Sequence, residues 1–253
     1  MAEELTSATQ SIARCFKVLE CVASMAEGGL LRELAARADL PKSTVHRLLG
    51  DLVALGYVRQ EPEGGRYLLT ARMFEMGSAN LGRMDLVTMA RPYLDQLAKE
   101  LEETVHLVVR DGGDVVYVYK AEAGHLRLSS RLGLRVPMYC TGVGKAILST
   151  MPRTAAEGVL SSAPLHAVTP KTILSLNDMW DQLRETRARG WAIDDEENEL
   201  GIRCVAVALP ARSGEAEVAF SISGPAARMS DARIGELAER CLAVREEILR
   251  NMH

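Results

Sequence analysis

Aromatic side chains are scarce in this chain of 253 residues, which holds three Phe, two Trp and six Tyr. Any core is therefore built mainly from Leu, Val, Ala, Ile and Met. A basic excess is also missing. Thirty Lys and Arg stand against 34 Asp and Glu, for a formal net charge of −4, which excludes a uniformly basic nucleic-acid coat. No run of about 18 apolar residues occurs, so neither a spanning helix nor a membrane partner is expected. The opening MAEELTSATQ is polar and acidic, unlike a secretory signal. Cys15, Cys21, Cys140, Cys204 and Cys241 are odd in number and widely spaced, with no CxxC pair. That pattern favours reduced thiols in a cytoplasm over a disulfide framework or a structural zinc site. What remains, 47 % hydrophobic and 25 % charged, is the mixture of a globular protein of one or two domains.

The first 83 residues read as helices followed by a hairpin. Ile12, Phe16, Leu19 and Val22 or Ala23 lie at spacings of three and four, one apolar stripe over 11–26 that Gly28-Gly29 ends. Residues 32–38 suit a short second helix. Pro41 is placed for the first turn of a third, along which Val45, Leu48, Leu49, Leu52 and Leu55 form a buried face and Gly56 a stop. Tyr57–Arg59 and Arg66–Leu68 are strand-like, with Pro62 and Gly64-Gly65 as turn residues. Helix, short helix, longer helix and then a two-stranded ribbon is the order of a winged helix-turn-helix. Residues 71–83 read as a linker helix weakened by Gly77 and Gly82. The remainder alternates helices (88–102, from 142, 154–161, 177–189, 231–250) with strands (104–109, 114–120, 126–130, 204–209, 217–222). Ser230 is the expected N-cap of the last helix. Strand pairs joined through Asp-Gly-Gly predict an antiparallel sheet covered on one face.

A recognition helix needs a buried docking face and an N-terminal half of short polar and basic side chains. The third helix has both. Lys42, Ser43, Thr44, His46 and Arg47 lie off the leucine face. Ser43 and Thr44 suit phosphate, Lys42 and Arg47 suit bases or phosphates, and His46 suits either. Arg59 and Arg66 flank the wing, within reach of the adjacent backbone. The plainer reading of PKSTVHRLL is an amphipathic helix with a solvated face, and it does not account for the ordered wing that follows.

LLRELAARADLPKSTVHRLLGDLVALGYV resembles the winged helix-turn-helix of the IclR family of bacterial transcriptional regulators. GLRVPMYCTGVGKAIL at 133–148, GWAIDDEENELGIRCVAVAL at 190–209 and SISGPAARMSDAR at 221–233 are similar to that family's effector domain, so the likeness covers nearly the whole chain. Pro210 departs from the pattern, which has an aromatic residue or His there. YLLTARMFEMG, VVYVYKAE and LRLSSRLG look most like the branch of the 2-keto-3-deoxygluconate regulon repressor. The resemblance implies an α+β protein: a DNA-binding domain at 1–70, a linker helix at 71–84, and a GAF-like effector domain at 85–253 on a mixed, mainly antiparallel sheet. It also implies double-stranded operator DNA as partner and homodimers or homotetramers, with the stripes at 11–26 and 71–83 as contact surfaces.

TGVGK at 141–145 opens a helix after a strand-like run, where exposed N–H groups suit an anion. A nucleotide P-loop fails, because Tyr139 stands where a glycine is needed and Ala146 where Ser or Thr is needed. Ser221 and Ser223 share one strand face, opposite Phe220 and Ile222. Cys204 is a soft wall. Alternation sends Asp194 and Asp195 to opposite sides. Asp194 then accepts hydroxyl hydrogen bonds or orders backbone N–H groups at a rim. By resemblance, the effector contacts map onto Gly142, Val143, Asp194, Cys204, Ser221 and Ser223, with Leu126 and Leu128 as apolar lining and a small keto or sugar acid as ligand. Each has a plainer reading: glycines for a tight turn, a solvated serine pair, and DDEE as a solvated loop.

The rival class is an enzyme, or a carboxylate-binding protein, with a vestigial DNA domain. Ser129, Ser130, Cys140 and Cys204 are possible nucleophiles, and His106, His125 and His166 possible bases. No GxSxG elbow or HExxH occurs, and Cys140, Cys204 and His106 lack metal-ligand spacing. No catalytic residue, metal or cofactor is therefore expected. Charge is unevenly spread: residues 1–83 hold 10 basic and 10 acidic side chains, and the rest hold 20 and 24.

Overall fold

Apolar residues recur at three- and four-residue spacing early in the chain and at every second residue in several later segments. The computed structural model, which describes residues 7–62, 65–81, 85–122, 130–210 and 216–251, turns the first pattern into helices and the second into strands. Contacts divide the chain into two units, Met1–Arg83 and Met84–His253.

The first unit contains α1 (Ser7–Ala23), α2 (Leu31–Ala38), α3 (Lys42–Ala54), β1 (Val58–Gln60), β2 (Tyr67–Leu69) and α4 (Ala71–Leu81). Strands β1 and β2 pair antiparallel, Val58 opposite Leu69. The core joins Val18, Leu19 and Val22 to Leu34, Leu48, Leu49 and Leu52. It splits the stripe expected on α1. Leu19 and Val22 are buried, but Ile12 and Phe16 are 59 % and 60 % exposed, because α2 and α3 cover only the C-terminal half of α1. Leu55, expected on the buried face of α3, is also exposed. The helix ends at Ala54 and Gly56, at φ 80°, turns the chain into β1. Helix α1 stops at Ala23, before Gly28-Gly29. That pair serves the wing: Gly29 exchanges backbone hydrogen bonds with Tyr67, and a Cβ on Gly28 would lie 2.7 Å from the Leu68 side chain.

The second unit runs α5 (Asp85–Leu101), β3 (Thr104–Asp111), β4 (Asp114–Ala121), β5 (Arg135–Pro137), α6 (Gly142–Thr150), α7 (Arg153–Leu160), α8 (Leu176–Arg189), β6 (Ala192–Asp195), β7 (Ile202–Pro210), β8 (Ala216–Pro225), a 3-10 turn at Ala226–Arg228, and α9 (Asp231–Arg250). The sheet order is β5-β4-β3-β8-β7-β6. Two expectations are corrected here. Every pairing among the described residues is antiparallel rather than mixed, and helices cover both faces instead of one. The reason lies in the strand composition. On β7 and β8, Val205, Val207, Leu209, Val218, Phe220 and Ile222 face α5 and α9. Ala206, Ala208 and Ala219 face the other way and, being small, let α6 settle closely. Strand β5 takes up only the start of the strand-like run that precedes TGVGK, ending at Pro137. Residues 126–129 of the expected strand at 126–130 lie outside the described residues. Pro210, the departure noted above, sits at the last position of β7 next to a register shift after Leu209, where its missing N–H costs no ladder bond.

Candidate functional site

In the first unit, the turn from α2 to α3 is set by Asp39 in the left-handed region at φ 51°. Its N–H bonds back to the α2 carbonyls of Ala35 and Ala36. Helix α3 then begins after Pro41 with no side-chain cap, so its first-turn N–H groups have no competing acceptor. Lys42, Ser43, His46 and Arg47 are exposed and Thr44 is half-buried. Arg47 reaches Asp51 one turn on, at 3.1 Å. Arg59 is exposed on β1, 3.8 Å from Glu61. Arg66 is used differently from the expectation. It donates to the Gly28 carbonyl at 2.8 Å and lies 3.9 Å from Glu33, so its guanidinium ties the wing to the start of α2.

In the second unit the strand register gathers the polar residues. Asp194, Cys204, Ser223 and Thr104 are successive neighbours across β6, β7, β8 and β3, as are Ala192, Ala206, Ser221 and His106 in the next row. Of these, Asp194, Cys204, Ser221, Ser223 and His106 line one small cavity, together with Gly142 and Val143 at the start of α6. All six predicted effector positions within the described residues thus meet in one place. Leu126 and Leu128 lie outside the described residues. His106, Tyr117, Ser130, Thr141, Asn198 and Glu199 also line the cavity and were not foreseen as part of it. The signal for His106 was present, since Thr104 and His106 alternate with Val105 and Leu107 as Ser221 and Ser223 do with Ile222.

The glycines of α6 serve packing rather than a turn, for neither Gly142 nor Gly144 has positive φ. A Cβ on Gly144 would fall 2.2 Å from the Met138 carbonyl oxygen, and one on Gly142 would fall 3.3 Å from Ala206 Cβ. The Thr141 hydroxyl caps the helix, accepting from the Gly144 N–H at 3.2 Å. That leaves the N–H groups of Gly142 and Val143, both buried, with no acceptor inside the helix.

Of the two roles left open for Asp194, the structure displays the second. Its Oδ1 accepts the N–H groups of Glu197 at 2.8 Å and Asn198 at 3.4 Å, curling the rim over the cavity. Burial pushes the Asp194 carboxyl up to about 7, against the pull of Lys145 and with a push from Glu197. DDEE is therefore not a plain solvated loop. Glu197 is buried and ion-paired with Lys145, itself 1 % exposed, and the Thr169 and Thr172 hydroxyls pin the rim carbonyls of Glu196 and Glu197.

One nucleophile–base pair considered above does form. His106 Nε2 meets the Ser130 hydroxyl at 2.7 Å. Its Nδ1, however, faces the Ser223 hydroxyl at 3.2 Å rather than a carboxylate. Burial, with Lys120 nearby, pushes the imidazole down to about 3, far too weak a base to activate serine at neutral pH. Burial likewise pushes Cys140 up to about 12 and keeps the Cys204 thiol protonated. His166 lies elsewhere, its backbone bonded to Tyr139. Ser129 and His125 lie outside the described residues.

Two family models match the chain. The bacterial transcriptional regulator IclR C-terminal domain covers residues 78–250, and the IclR helix-turn-helix domain covers 11–62. The acetate operon repressor of Salmonella typhimurium is 37 % identical over 247 residues, 96 % of this chain and 90 % of that protein. The HTH-type transcriptional regulator KdgR of Escherichia coli is 35 % identical over 227 residues, 89 % and 86 % of the two chains. Likeness to the KdgR branch is therefore close but not exclusive. The crystal structure of the Thermotoga maritima IclR superposes with a TM-score of 0.81 at 30 % identity, covering 96 % of this chain and 98 % of that one. These relatives are transcriptional regulators, not enzymes.

Proposed function

The chain belongs to the IclR family of bacterial transcriptional regulators, and from that membership we propose a repressor of a catabolic operon whose grip on operator DNA is set by a small carboxylate metabolite. Residues 1–70 hold the DNA-reading surface, 71–84 link, and 85–253 receive the effector. Lys42, Ser43, Thr44, His46 and Arg47 enter the major groove and Arg59 follows the backbone, while Arg66 braces the wing. The protein works in the cytoplasm as a dimer or a pair of dimers. The apolar side chains left uncovered on α1 and α4, Ile12, Phe16, Phe74 and Met76, support that assembly, since exposed apolar groups at helical spacing seek a partner. Ligand acts by binding two arrangements of the DNA-reading pair with different affinity.

One observation carries the carboxylate reading. The buried, unclaimed N–H groups of Gly142 and Val143 open a helix against a cavity whose floor holds the serines, His106 and Asp194. Such a helix start favours an anion, and the hydrogen-bonding serines and His106 of the floor suit a keto or hydroxyl group on the same molecule. The test is a gel shift of the intact protein on DNA upstream of its own or a neighbouring gene, over a salt series, with and without keto and sugar acids. A salt-sensitive shift released by one class of acid is expected. In parallel, an acid at 100 times its Kd should stabilise the protein by about 2.7 kcal/mol. No shift at any salt overturns the operator part, and no acid that stabilises overturns the carboxylate part.

A further inference from the structure

We propose that His106 is the residue that discriminates among effectors, holding a neutral hydroxyl or keto oxygen at the far end of the ligand and rejecting a second carboxylate there. The inference rests on the carboxylate reading above and adds the other end of the molecule.

His106 is 2 % exposed, yet it lines the cavity. The edge of its ring meets that of Tyr117, with centroids 5.0 Å apart at 67°, and its two nitrogens face the hydroxyls of Ser223 and Ser130. The ring is thus held from three sides before any ligand arrives. Lys120, its partner across the β3–β4 ladder, adds a positive charge that opposes an imidazolium. A neutral imidazole has one donor and one acceptor nitrogen, and the two serine hydroxyls can rotate to suit either tautomer. Its cavity-facing edge therefore accepts from a hydroxyl or donates to a ketone, with Ser130 giving way as partner. The imidazole itself supplies no positive charge and Lys120 is already paired with Glu122 at 2.6 Å, so a carboxylate placed there loses its water without an unpaired counter-ion, which is costly in a buried site.

The spacing of the two ends limits the ligand. Gly142 stands over Ala206 on β7, and His106 lies on β3, two strands away, about 10 Å across the sheet. The His106 ring reaches toward β8, its Nδ1 3.2 Å from the Ser223 hydroxyl, so the gap between the two ends is shorter than that backbone spacing. A short hydroxy or keto monocarboxylic acid suits such a gap.

The test uses the full-length protein and calorimetric titration with matched sets: lactate, propanoate and malonate, then 3-hydroxybutanoate, butanoate and succinate. The wild type should bind at least one hydroxy acid about tenfold more tightly than its deoxy partner, and the matching dicarboxylate more weakly still. H106F should reduce the hydroxyl preference, read as the ratio of hydroxy- to deoxy-acid affinity, to under about threefold. H106Q, which retains a neutral donor and acceptor, should keep most of the preference and guards against misfolding of the first variant, with operator binding as the check on both. A hydroxyl preference that survives in H106F, or a dicarboxylate that binds as well as the hydroxy acid, overturns the role of His106 and leaves the carboxylate reading standing. Binding of none of the six acids overturns the role of His106 as well, while the carboxylate reading is decided by the wider screen of keto and sugar acids.

Discussion

Lys42, Ser43 and His46 on α3 stand in solvent, whereas Asp194, Ser221 and Ser223 in the second unit are each at most 5 % exposed. The first group has few neighbours. In the second, every side chain is tied to another: Asp194 to the rim backbone, Ser223 to His106, and Glu197 to Lys145. An exposed charge contributes singly, is screened by salt, and is replaced at little cost to the fold. A buried polar group depends on its partner, and losing one strands the other. The DNA-reading unit is thus expected to respond additively to substitution and the effector unit as a network.

The largest effect should come from Lys145→Met, which leaves Glu197 charged and buried. Denaturant unfolding of the second unit should lose about 3–5 kcal/mol, and the double change K145M/E197L should recover most of it. A loss below about 1 kcal/mol would show that this unit behaves like the exposed one. Next is Gly144→Ala, whose methyl collides with the Met138 carbonyl. A destabilisation of about 1–3 kcal/mol, as for other overpacked sites, should appear in calorimetry together with weaker effector binding. Arg47→Ala sharpens the contrast from the other side. Operator affinity should fall by about 1–3 kcal/mol, while unfolding stability stays within about 0.5 kcal/mol of wild type and effector binding is unchanged.

Two buried titrations give a smaller, signed test. Asp194 has an ordinary value of 3.8 and is near 7 in the fold. Between those values the folded chain holds the extra proton, so this contribution to stability declines as pH rises from about 4 to 7. His106 goes the other way, from 6.5 to about 3. There the unfolded chain holds the extra proton, and stability is lost as pH falls below about 6.5. Each contributes a slope of up to about 1.4 kcal/mol per pH unit. Wild type minus D194N should therefore slope downward with pH, and wild type minus H106F upward, in urea titrations from pH 4 to 7. Equal slopes would break the assignment of either group. The smallest effect is Ser221→Ala, which removes one buried hydroxyl. It should cost the effector response about 1 kcal/mol, roughly fivefold, with DNA affinity untouched. An unchanged dose response removes Ser221 from the pocket.

Much of this arrangement was legible along the chain. Helix α9 spans the predicted 231–250 because Ser230 caps it, accepting from the Arg233 N–H, and its apolar stripe is unbroken. The shared face of Ser221 and Ser223 followed from the two-residue period of a strand. Other features were not legible. An apolar stripe shows where a helix can pack but not how far its neighbours reach, so Ile12 and Phe16 could not be told from Leu19 and Val22. His106 meets Ser223 across 117 positions and Lys145 meets Glu197 across 52, distances at which spacing carries no information.

By itself, then, the order of residues determined which segments are helix or strand, where α9 is capped, which strand faces are polar, and that a helix-turn-helix precedes a wing. These are local properties, governed by periods of 3.6 and 2 and by single capping groups. The tertiary structure alone decided the register of β6, β7, β8 and β3 and the seating of α6 on the alanines beneath it. A slip of one residue in any of those ladders would turn Ser221 or Asp194 to the opposite face. The cavity exists because long-range burial selects one register.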